Sequence, residues 1–396
     1  MDGAPARRSI LQGALAALAA PFLSACSSNP GPVGPDGPPL PPLATSPLTG
    51  LVAAAGVRWM IVAAPRDLLG VKWIPPLLDV AVSGARFDSF AMATGIDLRT
   101  LPEAVAVACA PIASGGDAAP LNTASPGTPP VAPDASAKPD PLPPPESLAP
   151  QDPLVGPGDV AGKSPADDDV MLYLARHTGN AQAIERSYRA RFTSHEKRSV
   201  ERPDLVRVSG KIGRHTLAAA FLGADVAAFQ DGGSASRGPA RIASLFAEGK
   251  LKHAHSALAA EPLHSLALRL GAAPFAAYAP GPFEGEVRRG LRGLLGAATA
   301  VGAVLQPTER KSFALTAAVT GDFSKSAAPA SDELLAAWKD LAGSRLGHML
   351  GLDKPVRAPM TSGAPDAVMI AVELAGQSLA EGLAAATASR VQDIFR

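Results

Sequence analysis

The sequence predicts an α+β protein built as two similar lobes, each a mostly antiparallel sheet with helices on one face, together with disordered Pro-rich segments. Three observations predict it. From residue 272 to 396, strand-length apolar runs and helical periodicities follow one another in the order β-α-β-β-α-β-β-α. The chain from 51 to 256 follows the same order once residues 111–169 are set aside. Two stretches are too poor in bulky apolar residues to pack: 27–47 holds eight prolines, and 111–169 holds fifteen with no aromatic residue. The lobes are therefore placed at 51–256 and 257–396. A competing reading is one continuous mixed α/β domain in which the likeness of the halves is accidental.

Taken in order, Val57 to Ala64 reads as a strand, and Asp67 to Ala93 as helical pieces broken around Pro75-Pro76. Leu101 to Ala110 is a second strand. The insertion 111–169 then replaces a tight β-β turn; loop closure costs grow only with the logarithm of loop length, so a hairpin end tolerates it. Val170 to Ala175 resumes as a strand. Ala181 to Phe192 is a helix with Thr178 or Asn180 as N-cap. Leu205 to Gly210 and Thr216 to Phe221 alternate as strands, Val226 to Phe229 extends or follows them, and Pro239 to Glu248 is a helix with proline tolerated in its first turn. In the second lobe, Ala273 to Tyr278, Ala298 to Leu305, Ser312 to Thr320, Val356 to Met360 and Ala367 to Leu374 read as strands. Phe283 to Leu295, Asp332 to Leu350 and Ser378 to Ile394 read as helices. The middle one carries Leu334, Leu335, Trp338, Leu341, Ala342, Leu346 and Met349 on one broad face.

Charge bounds the partners. Lysine plus arginine and aspartate plus glutamate each number 36. A near-neutral chain argues against nucleic acid, which calls for a basic surplus. Aromatics are only 5%, so the core is built from small aliphatic side chains.

The first 26 residues have their own logic. Arg7 and Arg8 precede an apolar run from Ile10 to Leu23, which ends at small residues and a cysteine. A positive lead, a short apolar core and small residues before a cut form an export signal, 1–25. A membrane-spanning helix needs about 20 apolar residues, and Gln12, Gly13 and Pro21 interrupt this shorter run. Leu23-Ser24-Ala25-Cys26 resembles the lipobox of bacterial lipoproteins, which implies that the Cys26 thiol takes a diacylglycerol and becomes the first residue of the mature chain. Ala6 to Leu11 is similar to the twin-arginine export motif, departing from it at Ala6, Ile10 and Gln12. Ser27, not an aspartate, follows the lipidated position; the resemblance then favours the outer membrane. Residues 26–50 read as the lipidated cysteine and a Pro-rich tether, whose stretch 27–47 reaches some 60 Å at about 3.1 Å per residue. With Cys26 consumed, Cys109 is the only thiol, in an apolar strand-like run, and reads as a buried inert side chain.

Several fragments are weighed as chemistry and set aside. Gly158 to Ser164 resembles a phosphate-binding P-loop with one residue too few and Pro165 where a helix should begin. His253, His255 and His264 have no acidic or cysteine ligand nearby, so they read as a solvated linker rather than a metal site. Asp167-Asp168-Asp169 lacks the spacing of a calcium loop. Ser194-His195-Glu196-Lys197 fits the Ser-x-x-Lys of penicillin-recognising enzymes, but the accompanying Lys-Thr-Gly and Ser-Asp-Asn motifs do not occur. Arg288, Arg289 and Arg292 read as a solvated helix face.

No catalytic residue, cofactor or metal ligand is assigned; Cys26 is the one assigned site. Thr94-Gly95-Ile96-Asp97 leading into an apolar strand resembles uncharacterised bacterial envelope lipoproteins with repeated α+β modules. The expected function is a non-enzymatic, lipid-anchored envelope module, whose partners are the membrane and an envelope protein or cell-wall component. The alternatives are an envelope hydrolase whose residues meet only in the fold, and a small-ligand receptor with its site between the lobes.

Overall fold

Strand alternation in this chain produces one sheet, not two. The computed structural model describes residues 40–82, 84–110 and 169–388. The signal 1–25, Cys26, residues 111–168 and the last six residues of the expected closing helix, 389–394, lie outside them. The strands are β1 (Val57–Ala63), β2 (Glu103–Cys109), β3 (Val170–Arg176), β4 (Ser194–Arg202), β5 (Leu205–Ile212), β6 (His215–Leu222), β7 (Val226–Asp231), β8 (Phe275–Pro280), β9 (Ala298–Pro307), β10 (Ser312–Gly321), β11 (Arg357–Ala364) and β12 (Ala367–Ala375). They form a 12-stranded sheet in the order β11-β12-β10-β9-β8-β1-β2-β3-β7-β6-β5-β4. Every pairing is antiparallel.

The helices are α1 (Pro65–Gly70), α2 (Ile74–Ala81), α3 (Gly84–Thr94), α4 (Ala181–Arg189), α5 (Pro239–Ala247), α6 (Leu263–Leu270), α7 (Ala327–Gly343), α8 (Arg345–Met349) and α9 (Gly376–Ala388). They lie on both faces of the sheet, which corrects the expectation of helices on one face. Because side chains alternate along a strand, each strand supplies two cores. On the back face, Met60, Val107, Leu172, Ala276 and Ala300 are buried under residues 48–51, α5 and α6. On the front face, α4 covers Ala175, Ala219, Phe221 and Ala227, while α7 covers Val319, Val368, Ile370 and Val372. On α5, Ala240, Ala243 and Ala247 recur at helical spacing against Ala220 and Ala228 of the sheet. Alanine facing alanine brings the helix backbone close to the strands.

Further differences from the sequence expectation have local causes. Residues ahead of 51 already belong to the body. Ala44 N–H donates to the Ala247 carbonyl at 2.8 Å, and Leu48 and Leu51 are wholly buried. Pro75 and Pro76 start α2 instead of breaking it, since proline costs nothing where a helix's first N–H groups have no acceptor. Residues 283–295 are not one helix but two short 3-10 turns, Val287–Arg289 and Leu291–Gly296, with Arg292 and Gly293 at positive φ. The expected helix 332–350 is split at Ser344, whose side chain caps α8 by accepting from Gly347 N–H at 3.0 Å, and Leu341 faces outward. β4 and α6 are not anticipated; among the described residues the first half carries seven strands and the second five.

The halves interlock. β1 and β8 pair at the centre, from Met60 opposite Tyr278 to Ala63 opposite Phe275. Trp73, ahead of α2, donates from Nε1 to the Thr308 carbonyl at 3.1 Å and meets the Phe313 ring edge-on at 4.9 Å. Both edges of the sheet are irregular. β4 has bulges near His195 and Glu201 and is mostly charged, while β11 carries Pro359 and a bulge between Arg357 and Met360.

Candidate functional site

On the front face, between α4 and the centre of the sheet, the side chains shrink and a cavity opens. The register places Ala63 beside Ala104, Ala104 beside Ala175, Ile61 beside Ala106, and Ala106 beside Tyr173. Methyl groups over three adjacent strands leave a volume of about 460 Å³, within the range of small-molecule sites. Its walls are Phe90 of α3, Ile96, Leu98 and Leu101 on one side and Tyr188, Leu217 and Phe229 on the other.

The wall is held by the segment Thr94 to Asp97. Thr94 Oγ1 donates to the Phe90 carbonyl at 2.7 Å and accepts from Ile96 N–H at 3.2 Å, closing the end of α3. Gly95 takes φ 74°, the left-handed conformation that ends helices, and a Cβ there would meet Ile184 at 3.2 Å. Ile96 is thereby turned into the buried core. Asp97 accepts from Arg99 N–H at 3.0 Å and pairs with the Arg99 guanidinium, which reaches Asp88 of α3 at 2.7 Å. The Arg99 hydrogen bond holds the Asp97 carboxyl below its ordinary pKa.

The lining is almost wholly carbon. The Tyr188 hydroxyl is committed, donating to the Ala218 carbonyl at 3.1 Å, and burial pushes that phenol well above its ordinary pKa. Its ring meets Phe192 edge-on at 5.4 Å and Phe229 at a tilt at 5.1 Å. Arg191 and Asp231 are the charged groups of the lining, and both are exposed. The arrangement can desolvate and hold an apolar molecule.

Behind α4 lies a buried carboxylate. Glu185 accepts from Arg198 of β4 at 2.6 Å and from Arg189 at 3.4 Å. The Arg198 hydrogen bond lowers its pKa against the opposing effect of burial. A carboxyl with a depressed folded-state pKa stabilises above its unfolded value of about 4.3 and loses that contribution as pH falls through the folded value. Glu185→Gln is therefore expected to lower the melting temperature at pH 7, with the difference from the parent shrinking between pH 5 and pH 3 in a thermal melt series.

The residues singled out in the sequence are scattered. Cys109 ends β2, and burial, helped by the Asp169 charge, pushes its thiol up to about 11. Asp169 pairs with Arg58 at 2.8 Å; Asp167, Asp168 and the segment 158–164 lie outside the described residues. His253 and His255 are exposed in a loop, and His264 Nδ1 lies 3.1 Å from the Leu258 carbonyl. Among the described residues, no group of His, Cys, Asp or Glu is placed to hold a metal. Ser194 and Lys197 lie on the edge strand β4, with Glu196 between them pairing to Arg189. Arg292 pairs with Glu333 and Asp340 of α7, at 2.8 and 2.9 Å, and Arg289 with Glu286 at 3.1 Å. Among the described residues, no helix is long and apolar enough to cross a membrane. The alanines that make the cavity floor had one signal in sequence, the alternation in Ala104-Val105-Ala106-Val107, whose small members all face one side. Compared with known proteins, the chain matches no family model, no curated protein and no solved structure.

Proposed function

We propose that this protein is a lipid-anchored cell-envelope binding module that holds an apolar ligand, a hydrocarbon chain of the acyl or isoprenoid class, in the front-face cavity. One observation carries the reading: the cavity of about 460 Å³ floored by alanines and walled by Phe90, Leu98, Leu101 and Phe229. A buried methylene contributes about 0.8 kcal/mol, so a chain of several carbons gains enough to bind. A reaction would need a titratable pair inside, whereas Arg191 and Asp231 stand exposed; this favours binding over hydrolysis. The ligand site belongs to the first half alone, so a receptor reading no longer rests on a cleft between lobes.

The test is titration with N-phenyl-1-naphthylamine, which fluoresces on entering an apolar site. The parent is expected to bind it at micromolar concentration. Ala106→Trp, which fills the floor, is expected to weaken binding at least 20-fold while leaving the unfolding midpoint within about 1 kcal/mol of the parent. Equal binding by parent and variant would remove the proposal.

Anchoring through Cys26 is part of the same reading. From Cys26 to Pro41, whose carbonyl accepts from Arg202 at 2.7 Å, 15 residues at about 3.1 Å would reach roughly 45 Å, shorter than a tether ending at residue 50. The ligand pocket would then stay near the bilayer and its envelope partners. Cys26→Ala should release the protein from the membrane fraction.

The two halves also read as copies of one unit. β1-β2-β3 and β8-β9-β10 are each a meander followed by a front-face helix, α4 or α7. In each half the final strand returns beside the third, β7 beside β3 and β12 beside β10. The order runs outward from the β1–β8 pair alike in both directions, which supports a duplicated module whose first copy gained the hairpin β4-β5.

A further inference from the structure

The back face carries a second cavity of opposite character. α5 packs over β6, β7 and β3 and leaves β4 and β5 uncovered beside it. The gap, about 490 Å³, is lined by three cations: Lys197 of β4, Arg207 of β5 and Arg241 of α5. Hydroxyls stand between them. Lys197 lies opposite Ser209, and Ser199 lies opposite Arg207. The four residues thus form a square in which cation and hydroxyl alternate, with the like charges on a diagonal of about 7–8 Å. Ser234 and Ser236, their hydroxyls 3.2 Å apart, close one side.

Among the described residues, no carboxylate is in the lining. The nearest, Glu201, is shared: it accepts from Arg241 at 2.7 Å and also pairs with Arg207. Glu248, whose charge reaches Arg207, is tied to Lys250 at 2.5 Å. One shared carboxylate against three lining cations leaves a positive excess. Lys197 makes no ion pair among the described residues. Arg207 Nε is buried without an acceptor, and a guanidinium N–H removed from water without a partner is costly. Hydroxyl donors set among fixed cations are what a tetrahedral oxyanion needs, because its oxygens accept several hydrogen bonds at once.

We propose that this cavity binds a phosphate group, either as the free anion or as the headgroup of a phospholipid. It is independent of the apolar site, which lies on the opposite face of the sheet. The test is calorimetric titration of the full-length protein in non-ionic detergent at constant ionic strength, first with inorganic phosphate and then with dihexanoyl-phosphatidylglycerol. Phosphate is expected to bind with a dissociation constant below 1 mM. Lys197→Gln, which breaks no ion pair and so leaves the fold intact, is expected to weaken it at least 5-fold. Lys339→Gln, on the exposed side of α7, is expected to leave it unchanged. Loss of naphthylamine binding in Lys197→Gln would reveal misfolding; the milder Ser209→Ala then replaces it, with a 2-fold or greater weakening expected. Binding of both ligands with the same Lys197 dependence identifies a lipid headgroup, and binding of phosphate alone identifies the free anion; either supports the proposal. No binding of either ligand, or binding indifferent to Lys197 and Ser209, overturns it.

Discussion

Leu266→Ala is expected to cost about 3 kcal/mol of unfolding free energy, in the middle of the range for a fully buried leucine. Leu266 is wholly inaccessible in α6. It fills the space that Gly302 leaves open, since a Cβ on Gly302 would lie 3.0 Å from Leu266 Cδ2 and 2.9 Å from the Ala277 carbonyl. The neighbouring strands cannot collapse into the gap because β8, β9 and β10 are fixed by their ladders. The loss should appear in urea unfolding as a lower midpoint with unchanged slope. Leu266 belongs to the same core as Met60 and Leu172 of the first half. Far-ultraviolet circular dichroism and tryptophan fluorescence should therefore give coincident transitions in parent and variant. Two separated transitions would show that the halves fold independently, against the continuous core described above.

Gln230→Leu should cost about 2 kcal/mol, with a local signature. Gln230 is a buried polar side chain, 1% exposed, within β7. Its Nε2 donates to the Gly232 and Ser234 carbonyls at 2.8 and 3.2 Å, and its Oε1 accepts from Ala240 N–H at 3.2 Å. One amide thus fastens the loop 232–236 and the start of α5. Leucine matches the volume and supplies none of these bonds, and the Ala240 donor is left buried without an acceptor, which costs about 1–3 kcal/mol. Hydrogen exchange should accelerate over residues 232–240 while the rest of the sheet stays protected. Gly238→Ala reaches the same point from the other side, since its Cβ would stand 2.2 Å from Gln230 Oε1. Both variants should also weaken phosphate binding, because Ser234 and Ser236 are carried by that loop.

Much of the fold was legible where one physical rule dominated. Of the two N-cap candidates, Thr178 and Asn180, it is Asn180 that accepts from Ala183 N–H, at 3.0 Å, because a side-chain acceptor is needed there. β1, β2, β3, β9, β10 and β12 announced themselves by apolar runs. β4 did not, because an edge strand of Ser, His, Glu, Lys and Arg has no buried face of its own to pattern. The leucines of 291–295 suggest a helix, yet the chain is left-handed from Leu291 through Gly293, with φ of 50°, 58° and 92°. Neither cavity could be read in advance. The apolar one needs Ala63, Ala104 and Ala175, residues far apart in the chain that only strand register brings together. The basic one needs the unrecognised β4, so Lys197 was weighed only as the last residue of a Ser-x-x-Lys fragment. Thr94 to Asp97 was noticed as a motif before its structural reason was visible: it is the corner that turns Ile96 into the wall of a pocket.

The outer strands of the sheet bear on behaviour in a crowded layer. An open sheet presents two rows of free backbone donors and acceptors, and a neighbour with the same rows can extend it indefinitely. Here one rim is bent by two bulges and bristles with ionised side chains, and the other is interrupted by Pro359, which has no N–H to offer. Copies packed side by side at high density would find no template for growth at either margin. Polymerisation through strand addition is thereby discouraged by bulges, proline and charge together.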